Sequence, residues 1–111
     1  MEMATEELPG GITHVILAGS LDIAGAAAID LRMNVIADSH KTVLVDLRKV
    51  SFLGSMGLSA LVAPARAIKR RGGTMVLFGA NQFVGQVLKS TLVDTFIPVY
   101  DDLETAIAAV Q

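Results

Sequence analysis

The chain has 111 residues, 52% of them hydrophobic, and no cysteine. That is enough apolar material for a single domain over residues 1–111 with a core of its own, and it excludes disulfide staples, thiol catalysis and cysteine-ligated metal. A net charge of −2 offers no field for gripping a polyphosphate backbone, which speaks against nucleic acid as a direct partner. The acidic start MEMATEELPGG lacks the basic flank and apolar run of a signal peptide. No apolar run is long enough to cross a bilayer, so a cytoplasmic protein without membrane insertion is expected.

In chain order, Met3–Leu8 reads as a short strand turning back through Pro9-Gly10-Gly11 onto a second strand, Gly11–Leu21. Asp22 is placed to cap a helix from about Ala24 to Ala37, with Ala28, Leu31, Val35 and Ile36 as its apolar stripe. Thr42–Leu47 is a short continuous apolar run, as in a strand covered on both faces. A helix over Ser55–Arg70 follows, with Leu58, Leu61, Val62, Ala65 and Ile68 on one side and Pro64 inside; Arg70-Arg71-Gly72-Gly73 stops it. Thr74–Phe78 is a third buried strand and Asn81–Ser90 a third helix. Thr95–Tyr100 reads as a last strand, demoted to an edge by Pro98, and Asp101–Val110 as a closing amphipathic helix. The alternation implies a mostly parallel sheet with right-handed crossovers.

Little in this chain points to catalysis. His14 and His40 are the only histidines; their spacing suits no metal, and they read as a strand-surface and a loop residue. The glycines are turn punctuation, without the G-K-[ST] of a phosphate loop. Asp22 and Asp46 stand near strand ends and as a pair could hold a cation, though a helix cap for Asp22 and a loop hydrogen bond for Asp46 are the simpler readings. No metal or other cofactor is expected. Ser55 is the residue of interest, because the stretch VLVDLRKVSFLGSMGLSAL sets it at a strand-to-helix junction. It lacks the full G-x-S-x-G pattern of a hydrolase elbow. As a helix N-cap it would contribute about 1 kcal/mol. As a phosphoacceptor it would place about −1.5 to −2 charges at a helix end whose amides and dipole favour anions.

The chain resembles the STAS domain, in particular the small bacterial anti-sigma factor antagonists. The likeness rests on Gly19-Ser20-Leu21-Asp22 (the family's G-x-L-D), on Val45-Asp46-Leu47, and most on Phe52-Leu53-Gly54-Ser55-Met56-Gly57-Leu58, which is similar to the family's I-D-S-x-G-L. It implies a small α/β fold with a four- to five-stranded, mostly parallel sheet and helices chiefly on one face. It also implies a non-enzymatic, partner-switching role. The unphosphorylated form would bind an anti-sigma factor that is an ATP-binding serine kinase, phosphorylation at Ser55 would inactivate it, and a serine phosphatase would reset it. Asp22, Gly54, Met56, Gly57 and Leu58 would contribute to the partner surface. Two positions depart from the pattern: Gly54 stands where the family often has Asp, and Met56 where it often has a second hydroxyl. A STAS subunit of a transport or lipid-trafficking complex, not phosphorylated, is the alternative the resemblance leaves open.

Overall fold

A computed structural model describes all residues, Met1–Gln111. The elements are β1 (Glu2–Leu8), β2 (Ile12–Leu21), α1 (Ile23–Ser39), β3 (Thr42–Leu53), α2 (Ser55–Arg70), β4 (Thr74–Phe78), α3 (Gln82–Ser90), a 3₁₀ turn (Val93–Thr95), β5 (Val99–Tyr100) and α4 (Leu103–Val110). The five strands form one sheet in the order β1-β2-β3-β4-β5. β1 is antiparallel to β2 and the remaining pairs are parallel. This is the mixed α/β architecture, mostly parallel, that the alternating pattern predicts.

The β1–β2 hairpin turns on Gly10 and Gly11, both at positive φ (91° and 75°), a region where a Cβ would be strained. The sheet is covered unequally. Val15, Leu17, Val43, Val45 and Leu77 point to one face and pack with Ile29 and Met33 of α1, Leu61 and Ile68 of α2, and Val84 and Leu88 of α3. The other face carries Ile12, Leu44, Val76 and Phe78, which meet Ala106 of α4. β3 as far as Leu47 and β4 are therefore buried on both faces, which is why Val43–Val45 and Met75–Phe78 read as apolar runs.

Three expectations need correction. β3 does not stop at Leu47 but runs to Leu53; exposed Arg48 and Lys49 interrupt the apolar run while the backbone keeps pairing with β2 as far as Leu21↔Leu53. The last strand is only Val99–Tyr100, because Val93–Thr95 closes a 3₁₀ turn and Pro98 has no amide to donate. On α1 the buried side is Gly25, Ala26, Ile29, Met33, Ile36 and Ala37. Ile36 belongs to it as expected, but Ala28, Leu31 and Val35 face outward. That helix is apolar nearly all round, so periodicity alone could not choose its inner face. No helix is long and apolar enough to cross a membrane.

Candidate functional site

The C-terminal edge of the parallel strands brings three chain segments together. β2 ends at Leu21 and β3 at Leu53, side by side in register, and the Gly54 amide donates to the Leu21 carbonyl at 3.0 Å. Asp22 follows Leu21 directly and caps α1, its Oδ1 accepting from the Gly25 amide at 2.8 Å. A Cβ at Gly25 would collide with the Ser20 carbonyl, so this sharp exit from β2 requires glycine. Asp22 thus has the capping role read from its sequence position, and it stands exposed beside the start of α2.

Ser55 is not the N-cap. That position belongs to Gly54, and no side-chain hydrogen bond caps α2. Ser55 is the first helical residue and is exposed. The helical ladder begins with the Leu58 amide bonding to the Gly54 carbonyl, leaving the amides of the first turn without intrahelical acceptors. α2 carries no acid in its first turn and Lys69 and Arg70 in its last. No acid of its own therefore offsets its positive end where Ser55 sits.

The neighbours of Ser55 divide into exposed and buried. Met56 is exposed, Gly54 and Leu58 are half-buried, and Gly57 is buried, so Gly57 presents no surface to a partner. A Cβ there would collide with the Leu21 carbonyl and stand 2.7 Å from Leu21 Cβ. Gly57 is what lets α2 start this close to β2. Behind Met56, a groove between α1 and α2 is lined by Ile23, Ala26, Ala27, Ala60 and Ala63.

The densest polar chemistry lies elsewhere. His14 is buried, not a strand-surface residue as its sequence position suggests. Its Nδ1 lies 2.9 Å from Glu6 Oε1 on β1 and its Nε2 3.0 Å from Asp46 Oδ2 on β3. Arg48 donates to the same Asp46 carboxylate from its backbone amide at 3.0 Å and from Nη2 at 2.7 Å. Burial pushes the Asp46 carboxyl up, but the hydrogen bonds from Arg48 and His14 and the Arg48 charge outweigh it and hold the carboxyl below its ordinary value. Asp46, conversely, raises the Arg48 guanidinium. No buried side-chain polar atom in the chain lacks a partner, so this network is saturated.

The network is also remote from Ser55. His14 is in register with Leu44, nine positions before the end of β3, which at about 3.3 Å per residue is over ~20 Å away. His40, half-exposed, caps the far end of α1. No Ser-His-Asp triad is assembled on Ser55. Asp46 and Asp22 are likewise kept apart, and no group of three or more potential ligands that could hold a metal ion is present.

Sequence reasoning quotes Phe52 only as part of the family-like stretch and assigns neither it, Phe83 nor Ile23 to a surface, yet all three are exposed near this edge. The signal that marks the two phenylalanines is an absence of charge: neither Phe52–Ala65 nor Asn81–Leu88 contains one charged residue.

The comparisons with known proteins agree with this geometry. The STAS domain family model matches residues 4–106. The anti-sigma-F factor antagonist RsfB of Mycobacterium tuberculosis is 36% identical over 70 residues, which is 62% of this chain and 54% of the relative; the match spans about half the length of that protein. The crystal structure of an anti-sigma factor antagonist from Mycobacterium paratuberculosis superposes with a TM-score of 0.88 at 28% identity, over 98% of this chain and 92% of the other. The Bacillus cell fate determinant SpoIIAA in its phosphorylated form shares the fold, with a TM-score of 0.75 at 17% identity over 99% of this chain and 100% of the other. With a five-stranded sheet, a strand-to-helix serine at its edge and a family match over nearly its full length, the chain belongs to the STAS domain family, as the anti-sigma factor antagonists do.

Proposed function

We propose that this protein is an anti-sigma factor antagonist, regulatory and not enzymatic. Its unmodified form binds a cytoplasmic anti-sigma factor that is also an ATP-dependent serine kinase. The kinase transfers the γ-phosphoryl of ATP to Ser55: an Oγ–P bond forms, the bond to the ADP oxygen breaks, and the hydroxyl proton passes to a base on the kinase. A serine phosphatase removes the group by hydrolysis. Asp22, Gly54, Met56 and Leu58 frame the contact surface, and Gly57 sets the position of α2 beneath it.

The observation that carries this reading is Ser55 itself, exposed at the uncapped start of a 16-residue helix. A phosphate there meets free amides and the positive helix end, so the fold accommodates it. A partner seated on the same apolar surface would have to desolvate a dianion, which disfavours the complex. One modification can therefore release the partner without unfolding the carrier. Intact-mass analysis after incubation with ATP and the anti-sigma kinase of the same organism should show one added phosphoryl on the parent and none on Ser55→Ala, with Ser55→Ala still binding the kinase. Phosphorylation of Ser55→Ala to the parent level would sink the assignment. A parent chain that neither binds nor is modified would favour the transport or lipid-trafficking alternative.

A further inference from the structure

Exposed apolar surface is unevenly distributed over the molecule. Ile23, Phe52, Met56 and Phe83 are 74%, 41%, 51% and 50% exposed. Ile23 opens α1, Met56 lies in the first turn of α2, Phe83 in the first turn of α3, and Phe52 is the penultimate residue of β3. All four therefore gather at the edge of the sheet that holds Ser55. Phe52 and Phe83 form a stack, with ring centroids 5.7 Å apart and planes inclined by 20°.

This stack is held in place from beneath. Leu53 beside Phe52 and Val84 beside Phe83 are buried in the core. Asn81 ties the two elements together: its Oδ1 caps α3 by accepting from the Val84 amide at 2.7 Å, and its Nδ2 donates to the Val50 carbonyl of β3 at 3.1 Å. The rings face solvent on a fixed backbone. Phe52 also lies against Gly54, where a Cβ would come within 3.1 Å of its ring.

We infer that the Phe52–Phe83 stack is an anchor of the docking surface for the anti-sigma factor, receiving an apolar side chain of that partner. The surface then runs across Ser55 from α1 to α3. The inference rests on the antagonist reading and adds to it an element, α3, far from Ser55 in sequence. Three observations select this occupant. The Phe52 ring lies against Gly54, the residue next to Ser55, so it borders any partner seated on Ser55. The segments Phe52–Ala65 and Asn81–Leu88 are free of charge, whereas Asp22 and Asp30 border the patch on α1; the complementary surface is apolar at its centre and cationic at the α1 rim. Preordered aromatic rings lose little conformational freedom on binding, and such anchors carry much of the energy of an interface. Gly54 gains a reason as well, since a Cβ at this position would crowd the Phe52 ring at 3.1 Å.

The test is calorimetric titration of the unphosphorylated protein with the purified anti-sigma kinase of the same organism, beside thermal melts. Phe83→Ala should weaken binding about tenfold or more with little change in melting temperature, and Phe83→Leu should restore part of the loss. Leu92→Ala, an exposed apolar residue outside the patch, should bind as the parent does. Should Phe83→Ala fail to fold, the ring resonances of Phe52 and Phe83 in the parent report instead, shifting on complex formation. A parent that binds while Phe83→Ala binds within twofold of it, or while those resonances stay still, overturns the anchor and leaves the antagonist reading standing. No binding by the parent overturns both. A parent that dimerises through this patch, with Phe83→Ala monomeric in sedimentation, makes a second copy the occupant and also overturns the inference.

Discussion

Two polar centres of this molecule invite comparison. Asp46 sits inside the sheet with Arg48 and His14 around it, both carboxylate oxygens bonded and its carboxyl held below the ordinary range. Ser55 sits at the sheet's edge with no capping bond and apolar neighbours. Judged by hydrogen bonds and shifted acidity alone, the first looks like the working site. Its saturation argues the reverse: a buried carboxylate already bonded on both oxygens has little left for a substrate, while a bare hydroxyl on an exposed helix start is free to react and to be covered. Perturbed acidity marks function only where a ligand can reach it.

Substitutions can sharpen or break this contrast. The largest effect is expected for Asp46→Asn, which leaves buried His14 and the exposed Arg48 guanidinium short of a charged partner and should cost about 1.5–3 kcal/mol at neutral pH. Because the folded carboxyl lies below its unfolded value of 3.8, the stabilisation is fully present above that value and is lost as pH falls through the folded one. Melts from pH 7 down to pH 3 should show the parent's advantage over Asp46→Asn shrinking below about pH 4; a constant gap would mean that the charge is not its source. Binding to the anti-sigma kinase should be unaffected at neutral pH, where the variant is folded.

Gly57→Ala comes next. Its new Cβ meets the Leu21 carbonyl, an overpacking expected to cost about 1–3 kcal/mol, partly offset by alanine's better helix propensity. Here stability and phosphorylation should fall together, because the start of α2 must move. Asp22→Ala should cost about 1 kcal/mol as a lost cap, read by denaturant titration, and should weaken kinase binding by more than that cost. Equal affinity would reduce Asp22 to a cap. Ser55→Ala should change stability by less than ~0.5 kcal/mol while abolishing modification. A large loss on melting would give Ser55 the structural role that this geometry assigns to Gly54.

The order of elements and the placement of Ser55 at a junction were legible from the chain because they rest on local signals. Apolar runs, Asp22 before α1 and Gly72-Gly73 after α2 carry that information without tertiary context. What escaped was what depends on register or topology. His14 reads as an exposed polar residue until pairing sets it between Glu6 and Asp46, which come from the neighbouring strands. Phe52 and Phe83 are joined only by the crossover that lays α3 beside β3. The outer face of α1 was misread because apolar residues occupy both sides of it. Ser55 was one position from its expected cap role, since glycine and serine are both acceptable N-caps and sequence does not say which residue turns first.

The sheet's strand order has a consequence for how the chain reaches this shape. Spatial order follows chain order without exception, so Ile12 pairs with Thr42, Thr42 with Thr74, and Leu77 with Val99. Each strand adds to the edge left by the one before it, and no strand must be threaded between two already placed. Loop-closure entropy is therefore met in moderate, similar instalments. On a ribosome, the β1–β2 hairpin and each βα unit could dock as they emerge, with the two-residue β5 and α4 arriving last to cover Val76 and Phe78.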